Sequence, residues 1–187
     1  MRLIIITFIL ILFSHVCTAP ALDFRLKISK LRYLTEYAEK WHHELEYSRF
    51  ISDLGRSESG NNWLSVNRIG YFGEYQFAES TLRYLGYKKV TLKKFKANPY
   101  IFPREEQKDA LKLLIKINLY LLRNYNHFIG DTIDGTVITK SGMIAAAHLG
   151  GAWTLKKYLN SDGRINKKDI LGTSINDYLR KFSHYDL

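Results

Sequence analysis

Arg56-Ser57-Glu58-Ser59-Gly60-Asn61-Asn62 sets an acid just ahead of a Gly-Asn pair, and Gly73-Glu74-Tyr75-Gln76-Phe77 follows a short way downstream. Glycine and asparagine accept the left-handed backbone that ends helices, so Glu58 is predicted in a last helical turn. Phe50, Ile51 and Leu54 keep three- and four-residue spacing into that turn, which makes 47–58 helical. The negative end of a helix dipole disfavours a carboxylate. An acid held there against a cleft wall retains a proton to donate, which is what a general acid must do.

The surroundings are those of one globular domain. A chain of 187 residues with 46% hydrophobic, 14% aromatic and 25% charged residues can bury one good core. Its first residues differ. Arg2, the apolar run 3–13 and the small residues Ala19-Pro20-Ala21 have the order and scale of a secretory signal peptide over 1–21. The run is shorter than the roughly 20 residues of a membrane span, so export to the periplasm or beyond is expected, with no stable membrane insertion afterwards. The single cysteine, Cys17, lies in this leader. Cleavage after Ala21 leaves no thiol and no disulfide framework.

The formal charge is +10, and loss of Arg2 with the leader leaves 27 basic against 18 acidic residues, a net of +9. Such a surface favours polyanions. In an exported protein an acidic wall polymer is a more fitting partner than nucleic acid. The lysines are spread along the chain, as at 88, 89, 93, 94, 96, 156, 157, 167 and 168, which also serves solubility.

Helical periodicity dominates the remainder. Leu31, Leu34, Tyr37, Ala38, Trp41 and Leu45 share one face of a helix over 28–46, an extension at 22–48 that packs on the domain or bridges to it. Residues 61–75 carry Gly70, Gly73 and Asn67 without a clear period, and read as loop with a short hairpin around 66–75. A short helix is expected at 77–85, stopped by Gly86. Pro103 with Glu105 and Glu106 opens a helix to about Tyr125 that is apolar on most sides and reads as the central post of the core. A small-residue helix over 141–148 starts at a Thr139 or Ser141 cap, breaks at Gly150-Gly151 and resumes at 153–159. Asn160 to Asn166 has the look of a calcium loop without its closing glutamate and is read as a polar turn. The last helix is expected at 174–182, capped by Thr173 or Ser174.

Three segments occur in a telling order. Glu58-Ser59-Gly60-Asn61-Asn62, Gly73-Glu74-Tyr75-Gln76 and Ala145-Ala146-Ala147-His148-Leu149-Gly150-Gly151 are similar to the E-S-G-G-N, G-L-M-Q and A-A-Y-N-A-G motifs of soluble lytic transglycosylase (SLT) domains. With Gly70 to Phe77, Ala147 to Ala152 and Gly172 to Tyr178, the chain resembles a secreted or phage-associated branch of that superfamily over 49–187. The resemblance implies a mainly α, lysozyme-like fold of goose-type or SLT kind in a single domain, with a short β-hairpin near the cleft. It also implies peptidoglycan glycan strands as the partner, with no cofactor and no metal.

Carried over by position, the family's catalytic acid falls on Glu58. It would protonate the glycosidic oxygen between N-acetylmuramic acid and N-acetylglucosamine, then take the proton of the muramyl C6 hydroxyl to give a 1,6-anhydro product. Gln76 falls on the family's glutamine, whose amide can donate to and accept from sugar groups. Ser59 would support Glu58, and Tyr71 and Tyr75 would stack on sugar rings. The family's tyrosine and asparagine fall on His148 and Leu149. Histidine could bond Glu58, but leucine cannot supply the amide contact.

Two other functions fit the same residues. Glu74 as a second carboxyl could activate water and make a hydrolytic muramidase. A non-catalytic wall-binding or secretion-accessory protein could keep the cleft without the chemistry.

Overall fold

The computed structural model describes residues 21–187, with side chains from Leu26 onward. All of the expected leader except Ala21 lies outside the described residues. Seven α-helices are present among the described residues: α1 (Ala21–Ser59), α2 (Glu79–Tyr84), α3 (Leu92–Ala97), α4 (Arg104–Leu122), α5 (Lys140–Gly150), α6 (Ala152–Asn160) and α7 (Ile175–Lys181). Short 3-10 turns occupy Pro99–Ile101 and Arg123–Phe128. The chain is mainly helical. Among the described residues no helix is long and apolar enough to cross a membrane.

Contacts divide the chain into two compact units that meet between Glu44 and Leu45, a few residues before the boundary expected at 48. In the first unit, the helix carries an exposed stripe of Tyr33, Leu34, Tyr37 and Trp41, with Tyr33 stacked on Tyr37 at 6.4 Å between ring centroids.

The second unit, Leu45–Leu187, holds the core. Phe50 and Leu54 on α1 are fully buried. Phe50 meets Phe182 and Tyr185 edge-on at 5.8 and 5.3 Å, and the Tyr185 hydroxyl donates to Asp53 at 2.7 Å. These contacts staple the end of α1 to the C-terminal segment. Burying an aromatic ring of this size contributes about 2–3 kcal/mol.

The central post is α5, not α4. Every residue of α5 from Ser141 to Ala147 is buried, because alanines and Gly142 let neighbouring helices approach closely. A Cβ at Gly142 would stand 2.7 Å from the carbonyl oxygen of Leu179 on α7. By contrast α4 buries one face, including Gln107, Ala110, Leu111, Leu114 and Leu122, and leaves Leu113 and Leu121 exposed. Thr139 caps α5 by accepting from the Gly142 N–H at 3.1 Å. Ser174 caps α7, and Asp177 returns the favour in a capping box.

The hairpin expected at 66–75 is replaced by a bridged loop. Phe72 forms isolated antiparallel bridges to both Val66 and Phe77, and its buried ring packs 4.8 Å from Phe95. One central residue thus pins both limbs, and no ladder extends. The two-stranded sheet lies elsewhere: Thr132–Ile133 (β1) pairs antiparallel with Thr136–Val137 (β2). Asp134 and Gly135 both have positive φ, 49° and 69°, the conformation of a tight hairpin turn. Asn176 on α7 donates to the Asp134 carboxylate at 3.0 Å.

Candidate functional site

Helix α1 stops where the local chemistry predicts. Gly60 and Asn61 both take left-handed φ, 67° and 61°, and their N–H groups return to the carbonyls of Arg56 and Gly55 at 3.0 and 3.1 Å. This stop sets Glu58 in the final turn. Its side chain, 14% exposed, enters a cavity of about 600 Å³.

Four segments wall that cavity. The end of α1 supplies Ser57 and Glu58, and the loop after it Asn67, Ile69, Tyr71 and Gln76. The end of α5 adds His148 and Leu149. Residues 167–173 and helix α7, with Asp177, Tyr178 and Lys181, close the far side.

The carboxyl of Glu58 is held from α7. The Tyr178 hydroxyl donates to its Oε1 at 2.7 Å. Burial first, and the Glu58 charge next, push the Tyr178 phenol above its ordinary value of 10.0, so the group remains a donor. Behind it, Lys181 Nζ donates to Ser57 Oγ at 2.6 Å, and Ser57 Oγ stands 3.4 Å from the Tyr178 oxygen. An ammonium can only donate, so it occupies a lone pair of Ser57 and leaves the serine proton free to turn toward Tyr178. Donors from Lys181 to Tyr178 thus run in one direction, ending at Glu58.

His148 lines the cavity as a substrate-binding residue would, but it is not the hydrogen-bond partner of Glu58. Its Nε2 lies 3.8 Å from Glu58 Oε1, beyond hydrogen-bond reach, and 3.0 Å from the Tyr75 carbonyl. A carbonyl only accepts, so Nε2 carries the proton and the ring anchors the 72–77 loop. Nδ1 is buried without a partner. The tyrosine beside Glu58 comes from α7 instead.

Gln76 and Tyr71 line the cavity. Gln76 adopts a left-handed φ of 49°, rare for a residue with a side chain, and its amide nitrogen donates to the Gly73 carbonyl at 2.8 Å. Asn67 shapes the loop that presents Tyr71: its Oδ1 accepts from the N–H groups of Ile69 and Tyr71 at 3.0 and 2.9 Å, an Asx-type turn.

Tyr75 and Ser59 lie outside the cavity lining. Tyr75 is fully buried, because the loop bridged at Phe72 turns its ring into the core, and burial with the Glu74 charge raises its phenol. Ser59 donates to the Glu74 carbonyl at 2.8 Å and accepts from the Asn62 N–H at 3.0 Å. It ties the loop to the helix end and so positions Glu58 through the backbone.

Glu74 neither faces solvent nor reaches the cavity. At 2% exposed, it accepts from Arg104 Nε and Nη2 at 2.7 and 3.0 Å, a two-point pair. The buried amide of Gln107 completes this knot, accepting from the Glu74 N–H at 2.6 Å and donating to the carbonyls of Phe102 and Trp63 at 2.8 and 3.0 Å. Among the described residues no group of three metal-ligating side chains occurs.

Tyr178, Lys181, Asn67 and the 167–173 wall were not anticipated as site residues. Tyr178 does fall within the Gly172-to-Tyr178 segment that carries the resemblance, but nothing local ties it to Glu58. Comparison with known proteins adds no neighbour: no family model, no curated protein and no solved structure matches the chain.

Proposed function

We propose that this protein is a peptidoglycan lytic transglycosylase with a lysozyme-like fold, exported to act on cell-wall glycan strands. The observation that carries this is the state of the carboxyls lining the cavity. Asp169 accepts the N–H groups of Leu171 and Thr173 at 2.9 and 2.8 Å, and Asp177 accepts from the Ser174 N–H and hydroxyl at 2.8 and 2.7 Å. Both are tied into their own turns. Those turn bonds use one oxygen of each aspartate; Glu58 alone among the lining acids is held by a side-chain donor on another element.

The proton inventory follows from that contact. Tyr178 donates to Oε1, so a protonated Glu58 carries its proton on Oε2. From there it protonates the glycosidic oxygen as the bond between N-acetylmuramic acid and N-acetylglucosamine breaks. The carboxylate left behind accepts the C6 hydroxyl proton as that oxygen closes on C1, giving the 1,6-anhydro product. Tyr178 stabilises the carboxylate between the two steps. Tyr71 offers an aromatic face to a sugar ring, and Gln76 an amide oxygen.

Hydrolysis would need a second acid to activate water. Glu74, the candidate for that part, is engaged with Arg104.

Digestion of purified peptidoglycan by the protein and by Glu58→Gln, followed by mass analysis of released muropeptides, tests the proposal. Anhydro products made by the parent and not by the variant are expected. Reducing-end products would replace it with hydrolysis, and no release by either protein would leave a wall-binding role.

A further inference from the structure

Three lysines, Lys167, Lys168 and Lys181, line the same cavity as Glu58, yet an N-acetylated glycan backbone carries no charge for them to meet. Lys181 is engaged with Ser57. Lys167 and Lys168 are exposed, and neither is within ion-pair distance of a carboxylate among the described residues. The nearby acids Asp169 and Asp177 each spend one oxygen on turn and cap groups, and after the Ser174 hydrogen bonds the Lys168 charge helps to hold the Asp177 carboxyl low without a direct ion pair.

The backbone beneath the two lysines is built rather than loose. Lys168 forms an antiparallel bridge with Ser174, Ile175 N–H donates to the Lys167 carbonyl at 3.2 Å, and Asp169 N–H to the Thr173 carbonyl at 2.8 Å. The segment is thereby fixed to the start of α7, the helix that carries Tyr178. The backbone that carries the two lysines is thus fixed in the wall of the cavity that Glu58 also lines.

Resting on the glycan-cleaving function proposed above, we infer that Lys167 and Lys168 form a subsite for the carboxylates of the muramyl stem peptide. That peptide hangs from the lactyl group of the sugar on one side of the scissile bond, and its free carboxylates are the anionic groups that a wall strand brings to such a cleft. The preferred substrate is then glycan whose stem peptides carry free carboxylates, over the same glycan with those carboxylates neutralised.

The experiment measures binding separately from turnover. The full chain carrying Glu58→Gln is co-sedimented with sacculi freed of secondary polymers, either untreated or with the stem-peptide carboxylates converted to neutral methylamides, which keeps the cross-links and the sugars. Untreated sacculi are expected to bind roughly five- to tenfold more tightly, the scale of two partly exposed ion pairs. Adding Lys167→Gln and Lys168→Gln should bring the two walls to within about twofold. Adding Lys88→Gln and Lys89→Gln, which removes the same charge from exposed positions outside the cavity lining, should keep the preference. Equal binding of both walls by the Glu58→Gln parent, or an equal loss of preference in the two lysine variants, overturns the subsite. A parallel digest with the unaltered protein reports on cleavage alone, so failure there counts against the transglycosylase function and not against the lysines.

Discussion

The hydroxyl of Tyr178 donates to Oε1 of Glu58 across 2.7 Å, although 120 positions separate them in sequence. Removing that hydroxyl while keeping the ring, as in Tyr178→Phe, should lower thermal stability and also lower kcat for muropeptide release. A hydrogen bond to a charged group contributes about 1.5–3 kcal/mol, so a drop of roughly 10- to 100-fold is expected. An unchanged kcat would assign Tyr178 to packing alone.

Asp177 gives a pH-dependent stability of known sign. The Ser174 backbone N–H, and then its hydroxyl, hold the Asp177 carboxyl below its ordinary 3.8. A group lowered in the folded state adds stability above its unfolded value and loses it as pH falls through the folded one. The melting temperature of the parent should therefore fall relative to Asp177→Asn below about pH 4. At neutral pH, Ser174→Ala should cost about 1 kcal/mol through loss of the cap. Parallel acid limbs for parent and Asp177→Asn would contradict this.

The ion pair between Glu74 and Arg104 is lopsided, with 2% and 47% of the side chains exposed. Arg104→Met strands a buried carboxylate and should cost about 3 kcal/mol in urea unfolding. Glu74→Gln leaves a guanidinium that water can reach, and should cost only about 1 kcal/mol. Glu74→Gln should also still yield anhydro muropeptides. Abolished cleavage with an intact fold would return Glu74 to the chemistry.

Gly142→Ala tests the closeness of α5 and α7. Alanine favours a helix by about 1 kcal/mol over glycine, yet the added carbon would stand 2.7 Å from the Leu179 carbonyl. Backbone cannot yield as a side chain can, so net destabilisation of about 1–3 kcal/mol is expected, visible as a lower urea midpoint. Since Leu179 adjoins Tyr178, kcat should fall as well. A gain in stability would show that the helices have room.

What could be read in advance divides by range. The stop after Glu58 was legible because Gly60 and Asn61 act on their own backbone, and the caps at Thr139 and Ser174 are equally local. Tyr75 was misplaced because a loop has no period to say which way a ring turns. The post of the core was misassigned because α4 is apolar nearly all round, and only the packing decides that Leu113 and Leu121 stay outside. The Asp134-Gly135 turn was a local signal that went unused. His148 was expected at Glu58, but the Tyr75 carbonyl lies closer to its ring nitrogen. Tyr178 had no local signal at all: its part depends on α7 docking against the end of α1, a contact that only the folded chain creates.

That docking has a consequence for the order of events during synthesis. Glu58 leaves the ribosome well before α7, and a contact spanning 120 positions forms late because the intervening chain must first be ordered. Until then the glutamate has neither the phenol that steadies its charge nor the lysines of the far wall. A chain interrupted before Ser174 would carry Glu58 but lack the helix that completes its cavity, so the growing polypeptide holds this carboxyl without its finished surroundings.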